Sequence, residues 1–198
     1  VLSLGIKTIA MNQTTVALAD LYKWTVSEFH QMAAAGIIEE DAHVELLHGQ
    51  IVHRSPVGKF HAACVSFMND WLTQQLRSDF IIRVQDPIKM DDHSEPEPDI
   101  AVVKRRADFY ASHLPGPDDI ELLIEVADSS LQKDQEIKAP LYANFGIKEF
   151  WLVDLSKQAL HYYTQPMRGT YQQRRTFQLD DQFEHPLLGT IAISKLFP

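Results

Sequence analysis

The most constraining feature of this chain is one glutamate in apolar company. Leu122-Leu123-Ile124-Glu125-Val126 is its most apolar strand-like run, and Glu125 stands inside it. A carboxylate among aliphatic neighbours is costly to ionise without compensation. The available compensations are a proton, a cationic partner or a metal ion. Taken alone, Glu125 also fits a structural role, its side chain reaching solvent or an arginine.

The elements around that strand define the fold class. Thr25-Val26-Ser27-Glu28 is a capping box, so a first helix is expected from there to a stop at Gly36. Val44–Leu47 and Gln50–His53 flank His48-Gly49 as a β-hairpin. A second helix is expected over Phe60–Leu76. Phe60, Cys64, Phe67 and Trp71 form one stripe and Val65, Met68, Leu72 and Leu76 another, a girth that suggests packing between a sheet and something else, a second subunit being one candidate. Strands are expected at Phe80–Val84, Pro87–Met90, Ile100–Val103 and Glu121–Val126. A third helix ends near Phe145-Gly146, and strands at Glu149–Val153, Ala159–Tyr163 and Tyr171–Thr176 complete the sheet. This order indicates a mixed α/β (α+β) domain rather than regular β-α repetition.

The chain's 198 residues suit a single domain spanning residues 22–198. Residues 1–21 read as an N-terminal extension, and the ten before Met11 as a tag remnant or upstream segment. No apolar run approaches the ~18 residues of a membrane span. A lone cysteine, Cys64, excludes an internal disulfide framework and suits the cytoplasm. The net charge of −9 argues against tight nonspecific binding to nucleic acid.

Four residues carry candidate chemistry. Asp99 opens a strand after Pro98, which is also common turn chemistry. On a helix over Asp134–Phe145, Ile137, Leu141 and Phe145 form the buried stripe, with Lys138 at its rim. A rim lysine can snorkel to water, but this helix follows the Glu125 strand after a short connection, which packs it back over that strand. Lys138 is then within reach of Glu125, and two carboxylates plus an ammonium suit a hard divalent cation beside a phosphate. Pro140 should kink this helix. Glu45 reads either as an exposed hairpin residue or as a further acid of the site. Asp91, Asp92, Glu95 and Glu97 read as a solvated acidic loop. The nine histidines form no zinc-ligand spacing, and no phosphate-binding glycine loop or nucleophile elbow is present. Cys64 fits the core better than a nucleophile.

Pro98-Asp99, Glu125-Val126-Ala127 and a following helix with Lys138 resemble the PD-(D/E)XK nuclease superfamily. More closely, the chain resembles the Uma family of restriction-endonuclease-like bacterial proteins. The likeness runs from Tyr22 to about Tyr163, through Trp24–Phe29, Val44–Ile51, Glu97–Ile100 and, most distinctively, Lys138–Asp154. It implies a restriction-endonuclease-like core with flanking helices and an extended C-terminal antiparallel part. It also implies Asp99, Glu125 and the Val126 carbonyl as ligands of one or two Mg²⁺ or Mn²⁺ ions. Lys138 and Glu45 would complete the catalytic set, with Gln85 near the site. Ala127 stands where the superfamily usually has its lysine, so the ammonium would come from the next helix. The activity implied is hydrolysis of DNA phosphodiesters by metal-activated water. Lys104-Arg105-Arg106, following the Asp99 strand, is the expected backbone contact. The acidic charge and the missing lysine also fit a catalytically impaired nuclease fold kept as a homodimeric interaction or regulatory module. A metal-dependent hydrolase of smaller substrates is a third reading.

Overall fold

A computed structural model describes residues 21–198, so the expected N-terminal extension lies outside the described residues apart from Leu21. Helix α1 (Val26–Ala34) starts as its sequence dictates. Thr25 Oγ1 accepts from the Glu28 N–H at 3.2 Å, and Glu28 Oε2 accepts from the Thr25 N–H at 2.8 Å. Such a cap is worth ~1 kcal/mol. Strands β1 (Val44–Leu47) and β2 (Gln50–His53) form the expected hairpin. Its turn, His48-Gly49, has positive φ at both positions, as a two-residue hairpin turn requires. A side chain at Gly49 would also collide with Lys23, 2.7 Å from where its Cβ would stand.

Six strands form the central sheet in sequence order: β3 (Phe80–Val84), β4 (Ile100–Lys104), β5 (Ile120–Ala127), β6 (Glu149–Asp154), β7 (Ala159–Met167) and β8 (Thr170–Phe177). All neighbours are antiparallel except β5 and β6. The parallel pair needs a crossover, supplied by α3 (residues 131–144). Strand alternation then sorts the core into two layers. Ile100, Val102, Leu122, Ile124, Val126, Trp151 and Val153 pack with α2 (Lys59–Leu76). Ala101, Val103, Leu123, Ala127, Phe150 and Leu152 pack with Leu141 and Tyr142 of α3. Beyond β8 the chain adds a separate hairpin, β9 (Gln182–His185) and β10 (Gly189–Ala192), the expected C-terminal antiparallel extension.

Three local expectations are corrected. Pro87–Met90 is not a strand. Its amides bond to loop carbonyls instead, Ile88 to Pro96, Lys89 to Pro115 and Met90 to Ser94. Ile88 and Met90 are nevertheless buried, so the apolar signal was burial without pairing. In α2, Phe60 and Phe67 are exposed. The inward face is His61, Cys64, Val65, Met68, Leu72 and Leu76, covered by the sheet and by the C-terminal turn, where Cys64 Sγ donates to the Leu196 carbonyl. Helix α3 is not uniform: Leu131–Lys133 is α-helical, Asp134–Lys138 is a π turn, and Ala139–Asn144 is α-helical. Pro140 offers no N–H and its ring crowds the carbonyl four residues back, so the widened turn falls just upstream. The helix presents Asp134 and Lys138 to the interior and leaves Ile137 39% exposed, reversing the expected order of Ile137 and Lys138.

Candidate active site

The sheet register brings the expected acids together. Ile100 pairs with Ile124 in antiparallel register, so one step onward Asp99 stands across from Glu125. Gln85, following β3, lies at the same end, because Val84 pairs with Ile100. The turn Asp128–Ser130 then leads into α3, which returns over this end. The result is a cleft lined by Glu45, Arg54, His61, Glu97, Asp99, Glu125, Val126, Asp128, Lys133, Asp134 and Lys138, among others. Its interior offers water about 40 Å³. One water needs ~10–15 Å³, so a few waters or a partly hydrated cation would fit.

Lys138 is the hub. It is 4% exposed, and its Nζ lies 2.8 Å from Glu125 Oε1 and 3.2 Å from Glu45 Oε2. Burial works against the ammonium, but Glu125, Glu45 and Asp134 outweigh it and hold its pKa above the ordinary lysine value. Glu125 Oε1 also accepts from the Tyr142 hydroxyl at 2.7 Å. Burial pushes the Glu125 pKa up to about 8; Lys138 opposes this, and Asp134, Asp99 and Glu45 reinforce it. The strand glutamate is thus compensated by a cationic partner, the second of its three available compensations, while burial makes it take up a proton more readily than an ordinary glutamate.

Asp99 is stabilised as an anion. Its Oδ2 accepts from the Val126 N–H at 2.9 Å and lies 3.0 Å from His61 Nε2, while Oδ1 accepts from Gln85 Nε2 at 3.2 Å. Burial resists the charge, but these partners prevail and its pKa falls below the ordinary value. His61 moves the opposite way, its protonated form favoured by Asp99 against the cost of burial. Gln85 adopts φ +51°, a conformation unusual for a residue with a side chain, and its own N–H bonds to the Asp99 carbonyl.

Glu45 is not an exposed hairpin residue. It is 1% exposed, held by Lys138, by Lys133 Nζ at 2.8 Å and by the Glu97 N–H at 3.2 Å. Burial opposes its ionisation, but the two lysines win and its pKa is lowered. Nor is the acidic run wholly solvated. Glu95 is buried, with Oε1 2.7 Å from His30 Nε2. Glu97 is half-buried and pairs with Arg54; burial raises its pKa although Arg54 opposes the shift.

Asp99, Glu125, Val126, Lys138, Glu45 and Gln85 thus meet at one place. Lys104, Arg105 and Arg106 do not join them. Lys104 ends β4 and Arg105 and Arg106 follow it, so the cluster begins five residues or about 17 Å from Asp99 at the rise of a strand. There Lys104 donates to the Asp118 carbonyl, Arg105 to the Ser78 carbonyl, and Arg106 to Asp108. His61, Asp134, Arg54 and Lys133 were not singled out from sequence. His61 did carry a signal, its spacing of three, four, seven and eleven residues to Cys64, Val65, Met68 and Leu72.

Six carboxylates line the cleft against three cationic side chains. Among the described residues, no three His, Cys, Asp or Glu side chains converge as a metal cage. Two carboxylates with a backbone carbonyl is a different donor set, all hard oxygens, and with surplus negative charge around it this set suits Mg²⁺ or Mn²⁺.

A mixed sheet between two helical layers, opening at one end into a buried cluster of acids around a lysine, is the architecture the sequence implied. The Uma2 family, described as "Putative restriction endonuclease", matches residues 26–194, and the chain belongs to it. Among solved structures, a "putative nuclease belonging to DUF820" from Anabaena variabilis superposes with a TM-score of 0.69 at 19% identity. The match covers 87% of this chain and 97% of that one. It shows a shared fold, that of the restriction-endonuclease-like nucleases. No curated protein matches the chain. No helix among the described residues is long and apolar enough to cross a membrane.

Proposed function

We infer that this chain is a divalent-metal-dependent endonuclease that hydrolyses phosphodiester bonds of DNA. The observation that carries the reading is the Lys138 ammonium, 2.8 Å from Glu125 in the cleft that also holds Asp99. Asp99, Glu125 and the Val126 carbonyl would hold one or two Mg²⁺ or Mn²⁺ ions. Bound there, the cation supplies Lewis acidity and water made nucleophilic near neutral pH. The protein's own part is positioning and charge. Gln85, His61 and the Val126 amide fix the Asp99 carboxylate, Glu45 and Glu125 aim Lys138, and Lys138 offers positive charge to phosphate oxygens as theirs grows.

The test is nicking of supercoiled plasmid with Mn²⁺. Wild type should convert it to open circles, Glu125→Gln should abolish conversion, and Lys138→Met should slow it at least 100-fold, the scale of one electrostatic stabiliser. Wild type without metal-dependent nicking would refute the reading.

One observation favours a second reading, an impaired nuclease fold serving as a dimeric interaction module. Lys138 already satisfies Glu125 and Glu45, and each Asp99 carboxylate oxygen already has a protein partner. The exposed Phe60 and Phe67 on α2 offer such a module an apolar contact. An inactive wild type that forms dimers disrupted by Phe67→Glu would support it.

A further inference from the structure

We propose that Arg54 and Lys133 form the phosphate clamp of this cleft, each exchanging an internal carboxylate for a substrate phosphate. The inference rests on the nuclease reading above and names the residues that hold its substrate. The expected basic cluster, Lys104 to Arg106, is at the wrong end of β4 and engaged with carbonyls and Asp108. Lys138 lies deeper, its side chain 5% exposed between two glutamates, where it serves the reacting phosphate rather than the approach of the strand. The remaining cationic side chains lining the cleft are Arg54 and Lys133, 18% and 22% exposed.

They approach from different walls. Arg54 follows β2, and its N–H bonds back to the His43 carbonyl, which fixes the base of its side chain. Lys133 sits in the first turn of α3 and donates to Glu45 Oε1 at 2.8 Å and to the His53 carbonyl at 3.0 Å. Both are thus held at the end of the hairpin, and both line the cleft. Their present partners can release them. Arg54 holds Glu97, which is 27% exposed and can be resolvated. Lys133 holds Glu45, which keeps Lys138 at 3.2 Å when Lys133 leaves. A phosphodiester oxygen replaces a carboxylate with one negative charge for another, and the arginine fork suits it geometrically. Two such contacts make weak, shallowly salt-dependent binding, in keeping with a chain of net charge −9.

The test is fluorescence anisotropy of the full chain with a labelled DNA oligonucleotide, single-stranded and duplex, across a salt series. Arg54→Met and Lys133→Met should each weaken duplex binding about 8-fold at 0.1 M salt. Each should also reduce the slope of log affinity against log salt by about 0.9, or about 0.7 for a single strand. Arg54→Lys, which keeps the charge, should restore the slope, and this separates lost contact from misfolding. Lys104→Met, at the far end of β4, should move neither quantity. Unchanged slopes in both methionine variants, with wild type still nicking plasmid, overturn the clamp and leave the nuclease reading intact. A wild type that neither binds nor nicks overturns both.

Discussion

Replacing Lys138 with methionine keeps the length of the side chain and removes the ammonium that contacts Glu125 and Glu45. Two costs follow, and they differ in pH dependence. The first is the loss of buried charge-assisted hydrogen bonds, worth ~2 kcal/mol, partly cushioned because Glu45 keeps Lys133. The second concerns Glu125, whose folded pKa of about 8 already exceeds its ordinary 4.5. An acid shifted in this direction binds its proton more tightly when folded, so its contribution to stability declines as pH climbs from about 4.5 to 8. Without Lys138 to oppose the shift, the folded value rises further. The variant therefore loses an additional ~1.4 kcal/mol per pH unit above about pH 8 relative to wild type. The penalty should be ~2 kcal/mol at pH 6 and ~3–4 kcal/mol at pH 9, approaching the cost of breaking a buried pair. For a chain of this size that is ~6 °C and ~10 °C of melting temperature. Urea denaturation at both pH values, with Lys138→Met, Glu125→Gln and the double variant, reads it out. The double variant should lose the pH dependence. Equal penalties at pH 6 and 9, or no coupling between the two sites, would refute the reasoning.

Metal binding should release protons from Glu125, more of them below about pH 8 than above it; calorimetry in buffers of different ionisation enthalpy measures this. His61→Ala should cost ~1–2 kcal/mol and raise the midpoint of acid unfolding. Asp99 is held below its ordinary 3.8 chiefly against burial by His61, so the stability it adds is lost as pH falls, and sooner without that partner. On α3, Ile137→Lys should stay within about 0.5 kcal/mol of wild type while Leu141→Ala costs ~2–5 kcal/mol. A large loss at Ile137 would contradict the π turn's orientation of this helix.

Much of this site was legible because local pattern and strand register happen to coincide. Pro98-Asp99 begins one strand, Glu125 lies within the next, and antiparallel pairing sets them opposite each other. Lys138 was placed correctly in outline, because a short connection returns α3 over β5. What the pattern missed was set by tertiary docking. Glu45 is held by Lys133, 88 residues away in α3, and nothing in a four-residue hairpin strand encodes that. The inward turn of Lys138 depends on the π turn, which a regular 100° periodicity does not contain. His61 was overlooked because α2 is apolar around most of its girth, so the stripe ending at Phe60 competed with the one through His61. Lys104 to Arg106 looked close to Asp99 in sequence, but a strand separates them by its full length.

The central claim is that the buried acids Asp99 and Glu125 belong to a divalent cation. Melting of the apo chain during Mn²⁺ titration tests it most directly. At a hundredfold excess over the dissociation constant, binding to the folded state alone adds ~2.7 kcal/mol, or ~5–10 °C here. Wild type should show that rise, and Glu125→Gln and Asp99→Asn should each abolish it. A wild-type melting temperature that stays flat through millimolar Mn²⁺ would contradict the claim.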